Sequence, residues 1–147
     1  MPTVDQVKNK VLRMMAKNYN ITTSDDGDVI LRHESAALSV SVVEWHPDQE
    51  GLNTVVKVSA PILWEVKRTA ALYEWVATTG QTYLFGRTAC NAGADASLTN
   101  VEFEQNILGD NLDEPELVTT VTALLAIANN LDDELQKKFG GKKTSDL

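Results

Sequence analysis

Apolar positions recur along this chain with two periods, and the switches between them divide it into elements. Val4, Val7, Val11, Met14 and Met15 follow one another at helical spacing. That is one apolar stripe on an amphipathic helix. Thr3 and Gln6 supply the two halves of a capping box at its start. The helix should end near Asn18. Residues 20–28 are polar, and Ser24-Asp25-Asp26-Gly27-Asp28 reads as a turn. A period of two then takes over. Val29-Ile30-Leu31-Arg32-His33 reads as a strand, and His33-Glu34-Ser35 as a tight reversal. Residues 37–45 form a second strand, with Leu38, Val40 and Val42 on one face and Ser39, Ser41 and Val43 on the other. Residues 46–53, with Pro47 and Gly51, read as a loop, and residues 54–60 as a third strand. Three strands with short links predict an antiparallel meander.

Pro61 is predicted to end that strand, since proline cannot donate to a ladder. Residues 63–79 read as a second helix stopped by Gly80. Residues 82–90 read as a strand carrying Tyr83 and Phe85, and residues 98–108 as another, with a loop at 91–95. A strong helix start follows. Asp113 is a good N-cap, Pro115 sits in the first turn, and Glu116 stands at capping-box spacing. Leu117, Val121, Leu124, Ala128, Leu131 and Leu135 then form one stripe on a third helix over 114–138. Gly140-Gly141 stops it. The predicted order is α-β-β-β-α-β-β-α, an α+β fold with helices packed on an antiparallel sheet. It forms a single domain over residues 1–141, with a flexible tail at 142–147.

Charge narrows the list of partners. The net charge is −8, and a sequence-independent grip on nucleic acid needs clustered Lys and Arg. The acid is uneven: residues 101–147 carry ten Asp/Glu against four Lys, residues 1–100 eleven against nine basic residues. Either this is a mildly acidic domain or its C-terminal third offers an acidic face to a basic partner. Cys90 is alone, so no internal disulfide forms and a cytoplasmic setting is expected. No apolar run is long enough to span a membrane.

Candidate chemistry is sparse. His33 and His46 are the only histidines, and neither has a second His or a Cys at ligand spacing. Asp25-Asp26-Gly27-Asp28 invites a calcium reading, but the position that should hold a bidentate Glu is His33. Cys90 lacks a local base. Glu102 and Glu104 alternate with Val101 and Phe103, which puts both on the solvent face of a strand. No catalytic residue, metal site or cofactor site is predicted.

The aromatic residues say more. At about 100° per residue, Trp64, Ala71, Leu72 and Trp75 fall on one side of the predicted second helix. Val66, Ala70, Tyr73 and Ala77 fall on another. A helix apolar on two sides must be covered twice. Each Trp carries ~200 Å² of surface, worth up to ~5 kcal/mol on full burial. The second cover is either another helix of this chain or another chain. Trp45, Trp64, Leu72 and Trp75 are therefore the candidate residues for protein binding or a dimer interface.

The element order and the junction Ile107-Leu108-Gly109-Asp110-Asn111-Leu112-Asp113-Glu114-Pro115-Glu116-Leu117 resemble the YbjN family and its actinobacterial relatives. So does Asn130-Leu131-Asp132-Asp133-Glu134-Leu135-Gln136-Lys137-Lys138-Phe139-Gly140-Gly141. These proteins look like the chaperones of type III secretion. The resemblance covers nearly the whole chain and implies a small non-enzymatic α+β domain that binds an extended segment of a client and often acts as a homodimer. It assigns no binding residue. The expectation is a chaperone-like or regulatory protein-binding module, a homodimer with a client protein or peptide. The alternative is a small enzyme or ligand-binding domain whose site is assembled from His33, His46, Cys90 and carboxylates.

Overall fold

Along Thr54–Lys67, burial alternates almost residue by residue, and this strand is the spine of the fold. The structure is a computed structural model and describes residues 2–45 and 53–147. The expected loop at 46–53, with His46, lies outside the described residues except for Asn53. Helix α1 is Val4–Asn18. Strands β1 (Ile21–Thr23), β2 (Val29–His33), β3 (Ala36–Glu44) and β4 (Thr54–Lys67) follow. Helix α2 is Ala70–Ala77, strands β5 and β6 are Arg87–Ala92 and Leu98–Leu108, and helix α3 is Glu114–Phe139. The six strands form one antiparallel sheet in the order β1-β2-β3-β4-β6-β5. The expected α+β class and its antiparallel sheet are present, with one addition. Ile21–Thr23, read as turn-rich, pairs with Leu31, Ile30 and Val29 as a short edge strand.

The helices share one face of the sheet. Val7, Val11 and Met15 of α1 and Leu117, Val121 and Leu124 of α3 pack in one core with Leu38 and Val40 of β3, Val56 and Val58 of β4, and Phe103 of β6. The period of two sends the intervening residues to the other face, where no described helix packs. Both sequence-predicted helix starts hold. Thr3 and Gln6 bond reciprocally at 2.9 and 3.2 Å. The Asp113 carboxylate accepts from the Glu116 N–H at 2.8 Å.

The junction after β6 locks the sheet. Gly109 donates its N–H to the Thr54 carbonyl at 3.0 Å. A Cβ at Gly109 would lie 2.4 Å from the Thr54 hydroxyl, so the approach excludes any side chain. Asp110 then accepts three hydrogen bonds, from the N–H groups of Asn53 (2.8 Å) and Thr54 (2.9 Å) and from the Thr54 hydroxyl (2.5 Å). Burial pushes this carboxyl up, but the hydroxyl and the two N–H groups stabilise its anion and hold it below the usual carboxylate range.

The middle of the chain corrects the sequence reading. Pro61 does not end the strand, because β4 runs on to Lys67 and α2 is only Ala70–Ala77, capped by the Thr69 hydroxyl. The reason is local. Pairing with β3 stops at Ser59, so beyond it β4 has β6 on one side only, and the register shifts between Pro61 and Leu63 and again between Leu63 and Val66. Bulges and half-edge positions tolerate a missing N–H. Glu65 takes a left-handed conformation, φ 56°, at the second irregularity. The strand expected to start at 82 starts at Arg87. Before it, Gly86 turns with φ 77° against the Phe103 ring, where a Cβ would sit 2.6 Å from a ring carbon.

Candidate functional site

The period of two that fills the core also dictates what the bare face carries. Most of it is polar. Ser59 donates its hydroxyl to Glu102 at 2.9 Å, and Arg87 pairs with Glu104 at 3.4 Å. Burial, then the neighbouring Glu104, pushes the Glu102 carboxyl up, while the Ser59 hydroxyl and Lys57 pull it down less. At the end of the sheet where β4 begins, the polarity breaks. Val43 of β3 lies opposite Val55 of β4, and Val55 lies opposite Leu108 of β6. Three apolar residues thus form a row across three strands, and Trp45 follows two residues after Val43 on the same side. Val43 is 40 % exposed, Trp45 46 % and Leu108 49 %. With Lys57, Asn106 and Ile107 they line a shallow hollow of about 450 Å³. Apolar side chains aligned on an open sheet face are what the side chains of an extended peptide can dock against.

The other sequence-predicted residues do not join this row. Trp64 lies on β4, not on a helix, so the doubly apolar second helix does not exist and Trp64 and Trp75 share no face of one. Trp64 sits roughly 30 Å along the strand from Val55, at about 3.3 Å per residue. It is half-buried, and its indole N–H donates to the Thr144 hydroxyl at 3.1 Å. Leu72 is fully buried in the core and offers no surface in the lone chain. Trp75 is half-buried against the same core. Of the four candidates, only Trp45 lies in the apolar row. Val43 and Leu108 were legible as outliers: each breaks a polar alternation, Ser39-x-Ser41-x-Val43 and Glu102-x-Glu104-x-Asn106-x-Leu108.

The residues offered for an enzyme site are scattered. His33 ends β2 and pairs with the adjacent Glu34 at 3.7 Å. Cys90 is on β5, four strand spacings away, roughly 19 Å at about 4.8 Å each. His46 lies outside the described residues. Burial pushes the Cys90 thiol up, and the Thr99 hydrogen bond and Arg68 offset this only in part, so no thiolate is favoured. Among the described residues no group of three or more His, Cys, Asp or Glu is placed to hold a metal ion. Ser24-Asp28 closes as a turn, with Gly27 donating to the Ser24 carbonyl at 2.9 Å.

Helices on one face, six antiparallel strands and a bare opposite face define a class, the small α+β domain of the secretion-chaperone type. The chain belongs to the family described as T3SS (YopN, CesT) and YbjN peptide-binding chaperone 1, whose profile matches residues 3–147. It is thus a peptide-binding chaperone-type module. Among solved structures, it is similar to the Yersinia pestis type III secretion chaperone SycH, determined in complex with a stable fragment of YscM2. The TM-score is 0.50 at 13 % identity, over 88 % of this chain and 99 % of that one. At that identity the likeness establishes the fold. No curated protein sequence matches the chain. No described helix is long and apolar enough to cross a membrane.

Proposed function

We propose that this chain is a non-enzymatic cytoplasmic module that holds an extended segment of a client protein against the bare face of its sheet. The observation that carries this reading is the apolar row Val43–Val55–Leu108 with Trp45 beside it, on a face that is mostly polar. Such a row accepts apolar side chains at alternate positions of an extended chain. The scatter of His33 and Cys90 and the raised Cys90 thiol support a binding role over catalysis. The test is selection from a random peptide library on the full chain, followed by titration of the selected peptides. A Val55→Ser, Leu108→Ser variant should keep its fold and lose at least about tenfold in affinity, or ~1.4 kcal/mol. Undiminished binding places the peptide elsewhere, and a library that yields no binder removes the reading.

We further propose that the working form is a homodimer. Leu84, 96 % exposed between α2 and the edge strand β5, supports this. A bare leucine beside an open strand edge favours self-association. Light scattering should give about twice the 16.1 kDa chain mass. A Leu84→Asp variant should give the single-chain mass, and a 16.1 kDa wild-type species at high micromolar concentration would exclude the dimer.

A further inference from the structure

Near its end the chain returns to the sheet, where Lys142 bridges to Trp64 before Thr144–Asp146 turns as a short 3-10 helix. Beyond Ser59 the spine strand β4 has lost β3 on one side, which leaves an open fork. The C-terminal segment enters it. Trp64 donates its N–H to the Lys142 carbonyl at 2.7 Å and accepts from the Lys142 N–H at 2.8 Å, an antiparallel bridge. The Trp64 indole donates to the Thr144 hydroxyl. Lys142 pairs with Glu65 at 2.9 Å and Lys143 with Asp133 of α3 at 2.6 Å, so consecutive lysines reach opposite walls. The tail is brought here by two glycines in the left-handed region, Gly140 at φ 77° and Gly141 at φ 82°. Gly141 lies so close that a Cβ would meet the Trp64 carbonyl and the Val66 side chain, each at 2.8 Å. The segment expected to fray is therefore held on the sheet.

What holds it is weak in kind. No side chain of residues 142–147 is buried, and Leu147 points into solvent. The Lys142–Glu65 pair is exposed and the Lys143–Asp133 pair half-exposed, and such pairs are screened by salt. The Gln136 amide adds two bonds, to the Gly141 carbonyl at 3.1 Å and the Asp146 carboxylate at 3.0 Å. The host side is built differently. It offers the backbone edge of β4 at Trp64, an indole donor, and the carboxylates of Glu65 and Asp133.

We propose that residues 142–147 are a cis-acting occupant of a peptide site, displaced when an extended client segment with two adjacent lysines pairs with β4 at Trp64. The proposal rests on the reading of the chain as a binder of extended segments and adds a second site at the far end of β4. The tail itself defines the ligand: one residue paired with the backbone of Trp64, lysines reaching both carboxylates, and a hydroxyl residue to accept from the indole, after which Thr144–Asp146 turns away as a short 3-10 helix. Strand addition supplies the backbone bonds, and the lysines supply the selectivity.

The test uses the full-length chain and a synthetic peptide spanning residues 140–147. In a Lys142→Glu, Lys143→Glu variant the tail is repelled by Glu65 and Asp133, and neither substituted position belongs to the core. The peptide should bind this variant at least about tenfold tighter than wild type and quench Trp64 fluorescence. Its affinity should fall as salt rises. Equal affinity for both chains, or binding to neither, overturns the proposal. Hydrogen exchange on the wild-type chain gives an independent check. The Lys142 and Trp64 amides should exchange at least about 100-fold faster than those of Val56 and Val58, and equal protection would make the tail a permanent part of the sheet. Loss of library peptides in the Val55→Ser, Leu108→Ser variant with tail-peptide binding intact separates this site from the apolar row.

Discussion

The two ends of β4 are built on opposite principles. At its start, Thr54 to Ser59 are flanked by β3 and β6 in regular register, and the Gly109–Asp110 turn clamps the first residues from outside. At its far end, β4 is flanked by β6 alone and carries two register shifts. It holds a residue at positive φ, and an exposed tail closes it. The first end is over-determined, so it can present a bare apolar row without moving. The second is under-determined, so a few hydrogen bonds and ion pairs decide what occupies it. Rigid presentation and exchangeable occupancy are both ways for a sheet to hold a peptide, and one strand supplies a scaffold for each.

The largest effect is expected from breaking the rigid end. Asp110→Ala removes the acceptor of three hydrogen bonds and leaves the fully buried Thr54 hydroxyl and N–H without that partner. A loss of about 2–4 kcal/mol is expected, since buried donors left unmade cost more than a typical bond gains. For a domain of this size that lowers Tm by roughly 5–15 °C. Acid should act in the same direction. The folded carboxyl is held low, so its contribution is complete above the ordinary Asp value of about 3.9 and is lost as pH falls through the folded value. Wild type should therefore lose stability below about pH 4 more steeply than Asp110→Ala. Urea melts at pH 7 and pH 3 check both statements.

The loose end should respond less and more locally. Gly141→Ala forces a side chain into a left-handed conformation and against the Trp64 carbonyl, at about 1–3 kcal/mol if the tail stays in place. Detaching the tail avoids most of that cost, so global stability should fall by less than about 1 kcal/mol. The Lys142 amide should then lose its protection. Gly140→Ala is the control. It carries a similar positive φ, but nothing lies within 4 Å of an added Cβ, so the cost is conformational alone, about 1–3 kcal/mol at φ 77° and ψ −151°. If Gly141→Ala shifted Tm as much as Asp110→Ala, the contrast between the two ends would fail.

The same contrast explains what the sequence disclosed. The rigid end is written locally. Thr3 with Gln6 and Asp113 with Glu116 are caps at fixed spacing, and residues 99–104 alternate between buried and half-exposed without interruption. The β6 bounds and the starts of α1 and α3 therefore match the reading residue for residue, and the class of fold follows from them. The loose end is decided by tertiary neighbours. Pro61 is a stop signal only where a second strand needs its N–H, and nothing local says that β3 has already departed. Trp64 and Val66 fit a helical wheel because residues 70–77 are helical and the spacing extends backwards by coincidence. The candidate site was half legible for a related reason. Trp45 stands out by type, but Val43, Val55 and Leu108 become a row only through register, which three separate strands must set together.

The finest probe sits where the two halves of β4 meet. Glu102 lies opposite Pro61 on the bare face and accepts the Ser59 hydroxyl. Its folded carboxyl is raised, by burial first and then by Glu104. The sign is thus opposite to that of Asp110. Protonated Glu102 is favoured by folding, so its charged form is a penalty above the folded value, and that penalty fades as pH falls toward the ordinary Glu value of about 4.3. Glu102→Gln keeps an acceptor for Ser59 and removes the charge. It should raise Tm slightly at pH 7 and leave it unchanged near pH 4, the smallest effect in the series. It should also leave exchange at Trp64 and Lys142 untouched, because neither the tail bridge nor its ion pairs involve Glu102. A Glu102→Gln chain that freed the tail would mean that the two ends of β4 are coupled through the strand, and the division between a fixed half and an exchangeable half would have to be given up.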